Sequence, residues 1–339
     1  MRIAVIGAGS WGTALAALLA AKGESVILWS RDAGQAAAIR DSRHNSKYLK
    51  DLELPPGLQV THHLREAVVG ADMLVMAVAS QGMREVLAAL TPWASGRQTV
   101  VNVSKGIETN SLKRISEIVA EYLPVNPYCV LSGPSHAEEV AKGMPTTLVS
   151  ASRSRQVAEL VQDTFSTGAL RVYTNPDVAG VELAGSLKNI IAIGAGISDG
   201  LGYGDNAKAA LLTRGITEIT RLGLVLGAKA ETFAGLAGIG DLIVTCTSGH
   251  SRNRRFGMLV GQGMPVPEAL AAVGMVVEGY FTARSAYDLC CRHSIEMPIV
   301  TELYRILYEG TDVSAAVGNL MLRSLTHESE QLARTSGWA

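Results

Sequence analysis

The first residues of the chain carry the most restrictive pattern in the sequence. An apolar run, Ile3–Ile6, leads directly into a G-x-G-x-x-G turn at positions 7–12, and an alanine-rich helical stretch follows from Thr13. In such a turn Gly7 permits the sharp bend, Gly9 lets a pyrophosphate approach the backbone, and Gly12 lets helix and strand pack closely. The helix N-terminus offers N–H donors and a positive dipole end to the phosphates. The context predicts dinucleotide binding, and the alternative is an ordinary glycine-rich strand–helix turn.

Strands and helices alternate through the first half of the chain. The expected strands are Ile3–Ile6, Val26–Ser30, Met73–Val78, Thr99–Val103, Cys129–Ser132, Thr147–Ser150 and Leu170–Tyr173. The expected helices are Thr13–Ala21, Arg65–Val69, Gly82–Leu90, Leu112–Tyr122, Ala137–Lys142 and Gln156–Phe165. Most of these strands are apolar on both faces, and the alternation implies right-handed crossovers. The pattern predicts an α/β domain of Rossmann type with a mostly parallel, doubly wound sheet.

The strand pattern fades after Pro176, and only helical patterns follow. They cover Val178–Ser198, Asn206–Leu222, Ala230–Leu236, Arg254–Val260, Pro267–Ala272, Thr282–Arg292, Ile299–Glu309 and Val313–Leu320. Pro176 and Asp177 are suited to begin a helix. We therefore predict a dinucleotide-binding domain over residues 1–177 and an all-helical substrate and catalytic domain over residues 178–339. A second glycine cluster, Gly200–Gly204, has no strand before it and is interpreted as a helix–helix loop.

Charge and hydropathy exclude several classes of protein. The 339 residues contain 30 Lys and Arg against 31 Asp and Glu, a net charge of −1. Nucleic-acid and anionic-membrane binders depend on clustered positive charge, so we expect neither partner. Hydrophobic residues make up 47% of the chain, which is ample for a large core. No apolar run of about 18 residues lacks a charge, so stable membrane insertion is not expected.

The cysteines and the first residues favour a cytoplasmic protein without a metal site. Cys129, Cys246, Cys290 and Cys291 form no C-x-x-C pair, and the seven histidines form no ligand-like group. Reduced thiols in the cytoplasm are the simplest interpretation. Met1 and Arg2 lead straight into a strand pattern, so no signal peptide is expected.

The end of the second predicted strand bears on the choice of cofactor. In the Rossmann arrangement an Asp or Glu there favours NAD, whereas an Arg accommodates the 2′-phosphate of NADP. Here the strand runs into Arg31 and Asp32, so the residues alone leave both NADP and NAD open. A solvated surface cation is the alternative interpretation of Arg31.

Two further segments place polar groups at the carboxyl ends of strands, where open α/β sheets bind ligands. Lys105 lies just beyond the strand at 99–103, and Ser135 follows a Gly-Pro turn after the strand at 129–132. Taken alone, Ser135 is better interpreted as a helix N-cap, with Glu138 completing a capping box. The two roles are compatible.

Lys188 is the candidate for acid–base chemistry. It is the only charged side chain between Leu183 and Ser198, in a predicted helix that is apolar nearly all round and is therefore expected to be buried. Burial of an ammonium without partners is costly and lowers its pKa, a condition that suits a Lys general acid or base. An ordinary solvated lysine is the alternative.

Two polar segments stand out in the helical half. Asp241 lies in the glycine-rich apolar stretch 238–242, and residues 248–255 combine hydroxyl, amide and guanidinium groups at a predicted helix start. The second group suits a phosphate. A solvated face or an inter-domain salt-bridge patch is the alternative.

Taken in order, these motifs resemble those of the bacterial NAD(P)-dependent sn-glycerol-3-phosphate dehydrogenases over about the whole chain. The matching segments are residues 7–16, 104–108, 133–137, 182–189, 235–242, 251–254 and 277–279. The resemblance implies a nucleotide-binding domain followed by an all-helical domain, with the active site in the cleft. It also implies interconversion of dihydroxyacetone phosphate and sn-glycerol 3-phosphate with NADP or NAD, to supply glycerol 3-phosphate for phospholipid synthesis.

The resemblance also implies roles for individual residues. The implied cofactor contacts, beyond the glycines Gly7, Gly9 and Gly12, are Ser10, Trp11, Arg31, Lys105, Ala137, Arg252, Val276 and Glu278. The implied substrate contacts are Lys105, Gly133, Ser135, Lys188, Asp241, Ser251, Arg252 and Asn253. Lys188 would donate and accept the proton, because hydride transfer to the C2 carbonyl leaves an alkoxide. Asp241 would orient an ammonium group, and no metal is required.

Some alternatives stay open at this stage. Another β-hydroxyacid-type dehydrogenase would share the architecture but would not need the phosphate-suited segment 248–255. A non-catalytic NAD(P)-responsive regulator would keep the fold without needing Lys105, Lys188 and Asp241, and a nucleotide-dependent methyltransferase gives the second-half motifs no role. A homodimer is one option for the assembly. The loop Asn45–Asp51 lacks the Tyr-Leu-Pro-Gly sequence frequent in the family, which leaves its local conformation open.

Overall fold

The computed structural model describes residues 1–325 and 327–328, and its strands lie in the first half of the chain. They are β1 (Arg2–Ile6), β2 (Ser25–Trp29), β3 (His44–Asn45), β4 (Leu49–Glu53), β5 (Gln59–Thr61), β6 (Met73–Met76), β7 (Thr99–Asn102), β8 (Tyr128–Ser132), β9 (Thr146–Ala151) and β10 (Leu170–Asn175). Eight of them form one sheet in the order β10-β9-β8-β7-β6-β1-β2-β5. All neighbours in this sheet are parallel except β8 and β9. The predicted Rossmann-type α/β fold is confirmed.

The sheet is covered on both faces. Within β1, Ile3 and Val5 pack into one apolar cluster, whereas Ala4 and Ile6 pack into another on the opposite face. The covering helices are α1 (Ser10–Ala21), α2 (Ala33–Ser42), α3 (Leu64–Val68), α4 (Met83–Leu90), α5 (Ile115–Tyr122), α6 (Ala137–Ala141) and α7 (Arg155–Phe165), with 3₁₀ turns at Ser80–Gly82 and Thr91–Trp93. Because successive side chains of a strand point to opposite faces, the continuous apolar run of β1 reports this double covering.

The second half is helical throughout its described part. Its helices are α8 (Val178–Gly200), α9 (Asp205–Val225), α10 (Ala230–Phe233), α11 (Asp241–Thr247), α12 (Arg252–Gly261), α13 (Val266–Val273), α14 (Glu278–His293), α15 (Pro298–Tyr304) and α16 (Val313–Met321), with π-helical turns at Leu236–Gly240 and Arg305–Glu309. Helix α8 is long and apolar enough to span a membrane, but 94% of its apolar window is buried inside the protein. It is the central helix of this half, as its all-round apolar pattern predicts.

Five of the described strands and helices were not predicted from the sequence. Helix α2 buries only Ala36 and Ile39, so its apolar periodicity is weak, and β5 is a three-residue edge strand. Helix α11 directly follows the glycine-rich π-helical turn, which hides its start. The pair β3–β4 is a small antiparallel hairpin. It contains the loop Asn45–Asp51, whose conformation the sequence left open.

The two halves are joined by buried polar contacts at the start of α8. The Glu182 carboxylate accepts hydrogen bonds from the Ser116 amide at 2.8 Å and from the Tyr128 hydroxyl at 2.5 Å. Burial raises the pKa of Glu182, against the lowering effect of these donors. Asp177 caps α8 by accepting from the Gly180 amide, and it also accepts from the Thr232 hydroxyl. These contacts fix the position of α8 relative to strand β8.

Candidate active site

A cavity of about 620 Å³ lies between the carboxyl ends of the central strands and the helical half. The strands that reach it are β1, β2, β6 and β7, and the helical half contributes residues of α8, α11, α12 and α14. Of the residues singled out in the sequence, this cavity is lined by Gly7, Gly9, Ser10, Trp11, Gly12, Arg31, Lys105, Ser135, Ala137, Lys188, Asp241, Ser251, Arg252, Asn253, Val276 and Glu278. Gly133 is absent from the lining but contacts Lys105. The fold therefore brings these separate motifs into one place.

The glycine turn is as tight as its sequence requires. Gly7 has a φ of +118°, and a Cβ placed on it would lie 2.5 Å from the Ala77 carbonyl oxygen. A Cβ on Gly12 would lie 2.0 Å from the Gly7 carbonyl oxygen. Helix α1 begins within this motif at Ser10, with Gly9 as an N-cap that offers no side chain to its amides. The first N–H groups of α1 are thus left for a ligand anion.

At the far end of the cavity the strand β2 ends in residues of opposite charge. The Asp32 side chain accepts a hydrogen bond from the Gln35 amide at 3.0 Å and so caps helix α2. Arg31 is 75% exposed and lies 3.5 Å from the equally exposed Glu85, a contact worth little in water.

Three charged side chains meet in the centre of the site. The Lys105 ammonium lies 2.7 Å from Asp241 Oδ2, and the Lys188 ammonium lies 2.8 Å from Asp241 Oδ1. Asp241 is 1% exposed and Lys188 is 4% exposed. The sequence led us to expect that Asp241 would orient one ammonium group, and the structure shows it bridging two. Lys105 also donates to the Gly133 carbonyl at 3.0 Å.

Lys188 is held by a second partner that the sequence analysis missed. Its ammonium donates to the Thr245 hydroxyl at 2.5 Å, and that hydroxyl donates to the main-chain carbonyl of Asp241 at 2.6 Å. Burial lowers the pKa of Lys188 to about 8, with Asp241 opposing the shift and Lys105 adding to it. Asp241 and Thr245 are one turn apart on α11, so the missed helix explains the missed residue.

The loop from Gly133 to Ala137 differs from one expectation. The Ser135 hydroxyl donates to the Gly133 carbonyl at 2.9 Å, and helix α6 is preceded by His136 without a side-chain cap. The predicted capping box of Ser135 and Glu138 is therefore wrong. Because its hydroxyl turns back to the Gly133 carbonyl, Ser135 stays within the lining of the cavity instead of over the amides of α6.

Residues 251–253 differ in how firmly the protein holds their side chains. Ser251 caps α12 by accepting from the Arg254 amide. The Asn253 side chain donates to Asn189 Oδ1 at 2.9 Å and accepts from the Gly279 amide at 2.9 Å, so it ties α12 to α8 and α14. Arg252 donates a hydrogen bond of 3.0 Å to the Val276 carbonyl and interacts electrostatically with Glu278. Of the three, Arg252 is the side chain most able to turn toward a ligand.

Glu278 lies at the start of α14 and faces the nucleotide-binding half. Its carboxylate accepts from the Ser80 amide at 2.9 Å and from the Ser80 hydroxyl at 2.5 Å. Burial raises the pKa of Glu278, and the contacts with Ser80 oppose that shift. The pair connects the two halves beside the cavity.

Comparison with known proteins identifies the family. A family model described as the N-terminus of NAD-dependent glycerol-3-phosphate dehydrogenase matches residues 2–158, and the corresponding C-terminal model matches residues 177–318. The chain belongs to this family. The resemblance drawn from the motifs is thereby confirmed, and so is the main functional interpretation over its alternatives.

Relatives of the glycerol-3-phosphate dehydrogenase family match over nearly the full length. A protein of Thermoanaerobacter sp. (strain X514) named glycerol-3-phosphate dehydrogenase (NAD(P)+) is 55% identical over 97% of this chain and 99% of its own. One of the same name from Bacillus subtilis (strain 168) is 49% identical over 98% of each chain. The crystal structure of glycerol-3-phosphate dehydrogenase from Coxiella burnetii has a TM-score of 0.92 and 42% identity, covering 95% of this chain and 99% of that one.

The dinucleotide that the family name implies fits the residues present. A cradle in which a Cβ at Gly7 or Gly12 would collide with backbone, next to an uncapped helix start, suits a pyrophosphate. The cofactor is NAD or NADP, as the relatives' names state. Among the described residues, no group of three or more His, Cys, Asp or Glu side chains is arranged to hold a metal ion.

His136 is a second residue of the site that the sequence analysis did not select. It lines the cavity, its ring centre lies 5.8 Å from that of His250, and its Nε2 atom is buried without a hydrogen-bond partner. Burial and the neighbouring Lys188 lower its pKa, which favours the neutral imidazole. It stands directly after Ser135 in the motif, but a single histidine in a loop gave no signal of its own.

Proposed function

We propose that this chain interconverts dihydroxyacetone phosphate and sn-glycerol 3-phosphate, with NAD(P)H as the hydride donor in the direction of reduction. The observation that carries the proposal is the buried Lys105–Asp241–Lys188 cluster, which lies in the same cavity as the glycine turn. A dehydrogenase needs a proton donor beside the carbonyl that receives hydride, and Lys188 is suited to that role.

The bound nicotinamide supplies the hydride, and the chain has to supply the proton and the positive potential. As hydride reaches C2 of dihydroxyacetone phosphate, negative charge develops on the carbonyl oxygen. The Lys188 ammonium stabilises this alkoxide and donates a proton to it. In the reverse direction the neutral amine accepts the proton of the C2 hydroxyl.

The surroundings of Lys188 support proton transfer in both directions of the reaction. With a pKa of about 8, both the ammonium and the amine form of Lys188 are populated near neutral pH, which is the condition for efficient proton transfer. Asp241 and Thr245 hold the amine in place from one side. Lys105, on the other oxygen of Asp241, adds positive potential without competing for the same oxygen.

The phosphate of the substrate is assigned to the start of α12. Arg252 provides a guanidinium that donates a hydrogen bond to the Val276 carbonyl and interacts electrostatically with Glu278, and the N-terminus of α12 adds its dipole. Asn253 holds α12 against α8 and α14, and Ser251 caps it, so both shape the pocket that Arg252 serves.

The remaining assignments belong to the same proposal. The cofactor contacts are Gly7, Gly9, Ser10, Trp11, Gly12, Arg31, Lys105, Ala137, Arg252, Val276 and Glu278. The substrate contacts are Lys105, Gly133, Ser135, Lys188, Asp241, Ser251, Arg252 and Asn253. We place the domain boundary between residues 177 and 178. The protein acts in the cytoplasm as a homodimer and supplies glycerol 3-phosphate for phospholipid synthesis.

One assay tests the proposed activity. Purified protein is mixed with dihydroxyacetone phosphate and either NADPH or NADH, and loss of the reduced cofactor is followed by its absorbance. Oxidation that depends on the substrate is expected with both cofactors. A folded protein that binds the cofactor but gives no oxidation would contradict the proposal. A panel of 2-oxo acids without phosphate, run in parallel, would identify a hydroxyacid dehydrogenase instead.

A further inference from the structure

The hairpin β3–β4 forms part of the wall of the cofactor cavity. Its turn contributes Lys47 and Tyr48 to the lining, next to Ser30, Arg31 and Asp32 at the end of β2. The sequence analysis assigned no chemistry to this segment. The hairpin turn lies at the adenosine end of the cavity. It can therefore contact the same part of the cofactor, the adenosine ribose, as the end of β2.

The hairpin is fixed to the glycine turn by buried hydrogen bonds. Asn45 is 1% exposed, and its side-chain Nδ2 donates to the Ala8 carbonyl at 2.9 Å and to the Thr13 hydroxyl at 2.7 Å. On the other side of Lys47, the Tyr48 carbonyl accepts from the Ser10 hydroxyl at 2.9 Å. Lys47 therefore lies between two anchors that attach its backbone to the dinucleotide-binding turn.

The acidic residue at the end of β2 is already engaged. Asp32 accepts main-chain hydrogen bonds from Gln35 and from Gly34, and these hold the pKa of Asp32 below its ordinary value, with a smaller effect from Lys47. A carboxylate used as a helix cap is poorly placed to bind the ribose hydroxyls that an NAD-selective site reads. Lys47 lies close enough to Asp32 to contribute to the lowering of its pKa, and the Lys47 ammonium lies 5.2 Å from the centre of the Tyr48 ring.

Resting on the proposed function, we propose that Lys47 is a specificity-determining residue that binds the 2′-phosphate of NADPH together with Arg31. Arg31 at the end of β2 and Lys47 in the hairpin turn both line this cavity, and two cations match the charge of a phosphate dianion. The same cations gain little from NADH, which carries two neutral hydroxyls at this ribose. The long side chains of both residues are exposed, so each can turn toward the phosphate without breaking a buried contact.

Direct binding measurements test this role without depending on turnover. Dissociation constants for NADPH and for NADH are measured by quenching of tryptophan fluorescence, because Trp11 and Trp29 line the cavity. We expect Lys47→Gln to weaken NADPH binding about tenfold, the scale of one charge-assisted phosphate contact, and to leave NADH binding unchanged. Arg31→Gln is expected to do the same, and Lys47→Arg to retain the preference for NADPH.

Lys50 provides the matched control, since it is an exposed lysine on the same hairpin that does not line the cavity. Lys50→Gln is expected to change neither affinity. Equal weakening of NADPH and NADH by Lys47→Gln would show that Lys47 only supports the hairpin, and no change in either would show that it makes no contact. Both outcomes overturn the inference. Failure of the dihydroxyacetone phosphate assay would instead count against the proposed function alone.

Discussion

Lys188 and Asp241 form an ion pair of 2.8 Å that is almost closed to solvent, and the second oxygen of the same carboxylate binds Lys105. One buried carboxylate thus faces two ammonium groups. Burial of charges is costly, and breaking a buried pair leaves the other charge uncompensated. The arrangement is therefore understandable as a device that fixes the position and the pKa of Lys188 rather than as a source of stability.

Replacing Lys188 is expected to slow turnover strongly while leaving cofactor binding in place. Its charge matters most as the alkoxide forms, so Lys188→Ala should bind NADPH normally and lose roughly 100-fold or more in kcat. Lys188→Arg should not restore activity, because a guanidinium hardly releases a proton near neutral pH. Stopped-flow measurement of hydride transfer checks both variants.

The exposed Lys229 of the helical half serves as the control for this experiment. Lys229→Ala should fold and turn over like the wild type. Near-normal hydride transfer in folded Lys188→Ala would remove Lys188 as the proton donor and direct attention to Lys105.

The two directions of the reaction should respond oppositely to pH. Because burial lowers the pKa of Lys188 to about 8, the ammonium needed for reduction is present below that pH and is lost as pH rises through it. The amine needed for oxidation of glycerol 3-phosphate is gained over the same range. We expect kcat to fall above about pH 8 for reduction and to rise for oxidation. Slopes of the same sign in both directions would contradict this assignment.

The fold and part of the site followed from local patterns. The glycine turn was evident because strand, glycines and helix are contiguous, and Lys188 stood out because one cation interrupts an apolar helix. Both signals reflect short-range constraints on backbone and burial. The alternation of strands and helices likewise gave the parallel sheet.

Other features depend on contacts between distant segments. Thr245 resembles any helical threonine until α11 places it against Lys188, and Asn45 resembles a loop asparagine until it is seen under the glycine turn. The hydrogen bond that the Ser80 amide donates to Glu278 spans 198 positions in the chain. Such partners are set by tertiary packing, for which a single sequence carries no direct signal.

The packing of α12 against α8 gives a prediction about stability. A Cβ on Gly257 would lie 2.1 Å from the Ile193 carbonyl oxygen, so the two backbones approach too closely for a side chain. Gly257→Ala should lower the free energy of unfolding by about 1–3 kcal/mol or more. Gly318 in α16 has no atom within 4 Å of such a Cβ, so Gly318→Ala should stabilise by about 0.5–1 kcal/mol. Thermal unfolding of the two variants checks the contrast, and equal effects would contradict it.

The phosphate end of the substrate is best tested at Arg252. Asn253 is hydrogen-bonded to Asn189 and Gly279, so Asn253→Ala should raise KM and also lower stability. Arg252→Ala removes a hydrogen bond to the Val276 carbonyl and an electrostatic interaction with Glu278, and it should raise KM for dihydroxyacetone phosphate by about 10-fold or more with little change in stability. Steady-state kinetics with phosphorylated and unphosphorylated dihydroxyacetone separates loss of a phosphate contact from a general disturbance of the site.

The wild type should use the unphosphorylated compound very poorly, and Arg252→Ala should leave that low rate unchanged, because the lost contact is to the phosphate. Comparable rates with both compounds in the wild type would show that no phosphate pocket exists at the start of α12.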